Sequence, residues 1–151
     1  TTLVLAILGR NEESAPTVGF EPHTVKLDGT PVRLFDCGGG AQIRGIWSNY
    51  YADVHGAVFV VDAADAGRLD EARKLLHEAQ EHERLRGKPL LVVANKQDLP
   101  NSLPSDAIAC PETIRFPPVD STVAAVVSFG DSLMAVSLSQ VAVIADSIVG
   151  K

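Results

Sequence analysis

The sequence predicts an α/β fold with a doubly wound, mostly parallel sheet. Three short runs of apolar residues each stop at a polar residue. The runs are 32–35, 57–61 and 90–94, and the polar residues that follow them are Asp36, Asp62 and Asn95. Short runs rich in Val and Leu are typical of strands buried on both faces of a parallel sheet. Because strand ends of such sheets line a ligand crevice, the polar residues are candidate site residues.

The segments between these strands complete the pattern. Apolar side chains recur at helical spacing through the charged segment 68–86, namely Leu69, Ala72, Leu75, Leu76 and Ala79. This spacing predicts an amphipathic helix that packs on the sheet. The segment 100–118 is rich in Pro and Ser, so a helix near 105–110 should be short. Residues 122–128 are rich in β-branched residues and predict another strand.

Length and composition point to one domain covering residues 1–151. The chain is 46% hydrophobic and carries a net charge of −6, which argues against binding a nucleic-acid backbone. The most apolar stretch, 133–149, contains too many polar residues for a membrane span, and no signal peptide or lipidation motif is evident. Cys37 and Cys110 lack metal-site spacing and are expected to be free thiols in the cytoplasm.

A candidate base-recognition loop follows the run 90–94. It reads Asn95-Lys96-Gln97-Asp98 and resembles the NKxD motif of small GTPases. The Asp98 carboxylate can accept hydrogen bonds from the N1–H and N2–H₂ groups of guanine, whereas adenine lacks that donor pair. The Lys96 stem can lie along the base, and the resemblance implies that Asn95 ties this loop to the phosphate loop. The alternative is a polar loop with ordinary capping residues.

Two further segments resemble the switch regions of the ADP-ribosylation factor family. Ala15-Pro16-Thr17-Val18-Gly19-Phe20 is similar to the first switch, and Asp36-Cys37-Gly38-Gly39 matches the DxGG motif of the second. The resemblance implies that Thr17 binds Mg²⁺ when a γ-phosphate is present. It implies that Asp36 holds Mg²⁺ through water, and that the Gly39 N–H contacts the γ-phosphate. The likeness continues through residues 43–51 and covers about residues 1–100.

One departure from the family bears on catalysis. Gly40 stands where the family usually has the glutamine that orients the attacking water. Gln42 lies two residues further on, which is the wrong place for that role. Intrinsic GTP hydrolysis is therefore expected to be very slow. The Gly-Gly-Gly sequence is similar to the ciliary Arf-like branch, whose members act as exchange factors for another Arf-like GTPase.

The resemblance also implies an effector surface. Phe20, Phe35 and Tyr50 occupy the positions of the family's exposed aromatic triad, which rearranges with the bound nucleotide. The alternative is that these side chains are ordinary core aromatics.

A phosphate-binding loop is missing from the interior of the chain, but its parts stand at the two ends. The chain closes with Ala145-Asp-Ser-Ile-Val-Gly150-Lys151 and opens with Thr1-Thr2. Read from end to start, this resembles a Walker A loop whose first glycine is Ala145. On this circularly permuted interpretation, strand 140–144 lies at the sheet centre.

The residue roles follow from the same interpretation. Lys151 contacts the β- and γ-phosphates, Thr1 is a Mg²⁺ ligand, and Gly150 and Thr2 belong to the nucleotide site. The alternative is that the terminal Gly-Lys is coincidental and that 133–149 is a final helix. On that alternative, Val127 and Ser128 lie near the base-contacting last loop of the family.

The sequence thus predicts a switch that binds GTP or GDP with Mg²⁺ and hydrolyses GTP poorly. Effector or regulatory proteins, among them another Arf-like GTPase, would bind its switch and interswitch surface. A ciliary or membrane-associated location is an alternative to the general cytoplasm, with membrane contact only through segments absent from this chain. Two other functions stay open: a pseudo-GTPase scaffold or exchange factor without nucleotide turnover, and a GTPase completed by a partner's catalytic group.

Overall fold

The structure is a computed structural model and describes residues 2–10, 15–27, 30–108, 123–128 and 140–145. Its helices and strands follow the order expected of an α/β protein. In chain order they are α1 (Thr2–Ile7), β1 (Phe20–Leu27), β2 (Thr30–Cys37), α2 (Trp47–Tyr50), β3 (Gly56–Asp62), α3 (Leu69–Glu81), β4 (Leu90–Asn95), α4 (Ser105–Ile108), β5 (Val123–Ser128) and β6 (Gln140–Ala145).

The strands form one six-stranded sheet in the order β1-β2-β6-β3-β4-β5. β1 is antiparallel to β2, and all the other neighbouring pairs are parallel. The α/β fold class and the mostly parallel sheet are therefore confirmed. The four predicted strands before residue 130 lie where the apolar runs indicated.

Helices cover both faces of this sheet. On one face, α2 and α3 pack against the central strands, and the fully buried Phe59 meets Trp47 edge-on at a centroid distance of 6.3 Å. On the other face, Leu3 and Val4 of α1 pack against β1 to β4 through Val32, Leu34 and Val60 among others. The double winding places the carboxyl ends of the parallel strands at one edge of the sheet.

The strand predicted at the sheet centre lies there. β6 is parallel to both of its neighbours, with Cys37 of β2 opposite Ile144 and Val60 of β3 opposite Ala145. The alternative prediction of a final helix over 133–149 is wrong for residues 140–145. Their run Val-Ala-Val-Ile-Ala suits a central strand of this sheet, because helices cover both faces there and every side chain of such a strand faces an apolar layer.

The helix predicted over 68–86 is shorter than its charge pattern suggested. α3 ends at Glu81, and His82 takes an extended backbone conformation. The His82 Nδ1 atom accepts the Arg84 N–H at 3.2 Å, so the side chain competes with continued helix. Leu85 then turns back into the core and is 2% exposed. Across the part of the chain that the structure describes, the helices are all too short or too polar to span a bilayer.

Candidate functional site

The polar residues at the strand ends meet at one edge of the sheet. Asp36 is the penultimate residue of β2, Asp62 is the last of β3 and Asn95 is the last of β4. Asp62 and Asn95 are register partners, and β6 ends at Ala145 between β2 and β3. Because these strands are parallel, their carboxyl ends all lie at the same crevice.

The two predicted switch segments contact each other at this edge. The Thr17 hydroxyl donates to Asp36 Oδ2 at 3.2 Å, and the Gly38 N–H donates to the Gly19 carbonyl at 2.9 Å. A Cβ atom on Gly38 would lie 2.2 Å from the Thr17 carbonyl oxygen. Only glycine at position 38 therefore allows the first switch to lie this close to the second.

The oxygen atoms of Thr17 and Asp36 fit a magnesium ion. Mg²⁺ prefers oxygen ligands and is commonly held by one or two protein groups, with water and phosphate oxygens completing its shell. Asp36 is fully buried, which gives its carboxylate a fixed position. Among the described residues, no three His, Cys, Asp or Glu side chains group as a metal site, so the predicted pair would depend on such non-protein ligands. Thr1, the third predicted ligand, lies outside the described residues.

Two residues that sequence reasoning left without a role hold the second switch. The Arg44 Nε–H donates to the Gly39 carbonyl at 2.8 Å, and the same guanidinium pairs with Glu71 of α3 at 2.7 Å. The Trp47 indole N–H donates to the Gly38 carbonyl at 2.9 Å. Arg44 and Trp47 belong to the segment 43–51, which carries the family resemblance. That resemblance is the feature of the sequence that could have indicated a role for them.

The predicted base-recognition loop is anchored to the end of β3. Lys96 has φ of +64°, and its Nζ atom lies 2.6 Å from Asp62 Oδ2. The Ala63 N–H donates to the Asn95 carbonyl at 3.0 Å. Asp98 is exposed at this edge, where its carboxylate is open to a ligand.

The three predicted effector aromatics are in mutual contact. The ring centroids of Phe20 and Tyr50 lie 4.6 Å apart, those of Phe35 and Tyr50 5.8 Å, and those of Phe20 and Phe35 6.4 Å. Phe20 is 42% exposed, whereas Phe35 is buried in the main core. The core alternative therefore holds for Phe35, which nevertheless touches both of the more exposed rings. The Arg33 guanidinium lies 5.3 Å from the Phe35 centroid.

The predicted phosphate-binding residues are only partly within the described ranges. Gly150, Lys151 and Thr1 lie outside the described residues, as does Cys110. Thr2 begins α1, whose Leu3 and Val4 are buried against the sheet. Ala145 ends β6 at the crevice edge.

Cys37, which lies within the second switch motif, is expected to resist thiol reagents. Burial, with a smaller effect from the Asp36 charge, raises the pKa of its thiol to about 12. At pH 8 only about one molecule in 10⁴ would then carry the reactive thiolate. In a Cys110→Ser variant, iodoacetamide at pH 8 should leave Cys37 unlabelled in the folded protein and label it quickly in urea. Equal labelling rates in the two states would contradict the buried thiol.

The comparisons with known proteins agree with this fold. The family model described as "ADP-ribosylation factor family" matches residues 1–127. ADP-ribosylation factor-like protein 13B from Chlamydomonas reinhardtii is 43% identical over 106 residues. That match covers 70% of this chain and 20% of the relative, so the chain spans about a fifth of the relative's length.

A solved structure has a similar fold. It is the Arl6 BBS3 small GTPase from Trypanosoma brucei with the bound nucleotide analogue GppNp, which superimposes with a TM-score of 0.65 at 23% identity. The superposition covers 85% of this chain and 77% of the other. At this identity the likeness establishes the shared fold alone.

Proposed function

The chain belongs to the ADP-ribosylation factor family of small GTPases, and we propose that it is a GTP-dependent switch with weak intrinsic hydrolysis. The observation that carries the proposal is the contact between the two switch segments, where the Thr17 hydroxyl meets the Asp36 carboxylate at 3.2 Å. These two side chains, whose oxygen atoms can bind a metal ion, lie at the same sheet edge as the loop of Lys96 and Asp98. Magnesium, phosphate and base sites at one edge are what a guanine nucleotide requires.

We assign the base to the loop Asn95–Asp98. The exposed Asp98 carboxylate accepts the two donors of guanine, and the Lys96 stem lies along the base plane. The magnesium ion, when bound, supplies positive charge beside the β- and γ-phosphates. Thr17 and Asp36 hold it, Asp36 through water, and the Gly39 N–H donates to the γ-phosphate.

The phosphate loop is assigned to the residues that follow β6. β6 lies between β2 and β3, so its carboxyl end opens beside Asp36 and Asp62. A loop that leaves this strand end is at the right edge to meet phosphates bound near Thr17. Under this proposal Gly150, Lys151, Thr1 and Thr2 contact the nucleotide, with Thr1 as a further ligand of Mg²⁺.

The nucleotide state is read through the contacting rings of Phe20, Phe35 and Tyr50, of which Phe35 is buried and touches the two more exposed rings. Phe20 is the last residue of the first switch segment and Phe35 directly precedes Asp36 of the second, so a change in either switch would displace a ring of this cluster. An effector or regulatory protein, such as a second Arf-like GTPase, would bind there. The likeness to an Arf-like 13B protein supports the ciliary branch, and we place the chain in the cytoplasm, at a cilium or at a membrane reached through other segments.

A nucleotide titration tests the proposal. Fluorescent GDP and GTP are added with and without Mg²⁺, and ATP is used as the competitor. We expect tight, Mg²⁺-dependent binding that excess ATP leaves intact. Failure of both guanine nucleotides to bind would contradict the switch and favour a scaffold that acts without nucleotide.

A further inference from the structure

We propose that Asp62 is a positioning residue for guanine-nucleotide binding, which acts by holding the Lys96 ammonium and with it the base-recognition loop. The inference rests on the proposed nucleotide site. It adds to that site a residue, Asp62, that lies outside the sequence motifs from which the site is built. Asp62 lies 34 positions before Lys96 in the sequence, at the end of a different strand. It would set how long a guanine nucleotide stays bound without touching the nucleotide itself.

The contact is short and partly shielded from water. Lys96 Nζ lies 2.6 Å from Asp62 Oδ2, and the side chains are 39% and 12% exposed, respectively. Coulombic attraction is stronger at such a site than at an open surface, because less water screens it. The other carboxylate oxygen of Asp62 accepts the Ala64 N–H at 3.0 Å, which fixes the carboxylate against its own strand end.

The backbone of Lys96 explains why an anchor is needed. Among the non-glycine residues that the structure describes, Lys96 alone has a positive φ, at +64°. This left-handed conformation is unfavourable for a residue with a Cβ atom and persists where surrounding contacts enforce it. The pair with Asp62 is such a contact, and it acts on the side chain of the strained residue.

Hydrogen bonds carry the position of Lys96 into the rest of the loop. The Lys96 carbonyl accepts the Leu99 N–H at 3.1 Å, which closes a turn around Asp98. The Gln97 side-chain amide donates to the Leu103 carbonyl at 2.9 Å. The Leu103 N–H in turn donates to the carbonyl of Ala63, the residue that follows β3. A shift of Lys96 would therefore move the turn that presents the Asp98 carboxylate to the base.

The test is Asp62→Asn, which keeps an oxygen for the Ala64 N–H but removes the negative charge. We expect fluorescent GDP to dissociate about 5- to 10-fold faster. In a Lys96→Met background, which retains the stem and lacks the ammonium, the same Asp62 change should alter the rate less than about 2-fold. The dissociation rate of GDP should rise by a larger factor than that of IDP, because the displaced turn carries Asp98 and IDP lacks the N2 amino group that makes the second hydrogen bond to its carboxylate.

A readout without nucleotide separates this inference from the proposed function. Hydrogen exchange of the Leu99 amide in the free protein should accelerate in Asp62→Asn and stay unchanged in Asp70→Asn. Asp70 is the matched control because it loses an ion pair with Arg73 on α3, outside the site. Unchanged exchange at Leu99, or an equal rate effect of Asp62→Asn with and without Lys96→Met, would overturn the positioning role. Accelerated exchange in a protein that binds no guanine nucleotide would support the loop anchor and overturn the proposed function.

Discussion

Gly40→Gln is expected to raise the rate of intrinsic GTP hydrolysis by about 10²-fold. A glutamine at this position of the second switch can orient the attacking water, and a positioned polar group of that kind contributes roughly two orders of magnitude or more. The backbone leaves room for the first atom of such a side chain. Among the described residues, a Cβ atom on Gly40 would meet the Ile43 Cδ1 atom alone, at 4.0 Å, which is an ordinary van der Waals contact.

The measurement is single-turnover phosphate release from the GTP-loaded protein. Gly40→Ala is the matched control because it adds a Cβ atom but no amide, and it should leave the rate at the level of the unaltered chain. If Gly40→Ala and Gly40→Gln give the same rate, the missing side chain is not what limits hydrolysis. A high rate in the unaltered chain would contradict the weak-hydrolysis proposal directly.

The central strands could be predicted from the sequence because burial on both faces leaves a simple signature. The runs 57–61 and 90–94 are almost wholly apolar, and each becomes a strand between two neighbours. The polar residues at their ends were predicted site residues for the same reason, since strand ends of a parallel sheet open on a crevice. The family resemblance added the roles that spacing alone does not supply.

Contacts between distant segments could not be predicted in this way. The ion pair between Asp62 and Lys96 depends on a left-handed backbone conformation at Lys96. A lysine in the sequence gives no local indication of that conformation. The link from Arg44 to Glu71 likewise joins a loop to a helix 27 residues away. The end of α3 at Glu81 depends on the side chain of His82 competing with the helix, while the surrounding charge pattern continues unchanged.

Asp98→Asn is expected to reverse the base preference of the site. The exposed Asp98 carboxylate can accept hydrogen bonds from both donors of guanine, whereas an asparagine amide presents one acceptor and one donor. The amide would face the N2 amino group of guanine with a donor of its own. Two charge-assisted hydrogen bonds are worth about 3 kcal/mol or more together, so GDP affinity should fall by about 10²- to 10³-fold.

Xanthine nucleotides provide a second test of this prediction. Xanthine carries a carbonyl where guanine carries the amino group, so it offers an acceptor to the asparagine amide and keeps its N1–H donor for the amide oxygen. XDP should therefore bind Asp98→Asn more tightly than GDP does, as measured by competition against fluorescent GDP and XDP. Asp98→Ala is the control, because it removes the acceptor without adding a donor and should lose GDP without gaining XDP. Equal XDP affinity in the two variants would mean that position 98 does not face the base edge, and the assignment of the loop Asn95–Asp98 to guanine recognition would be wrong.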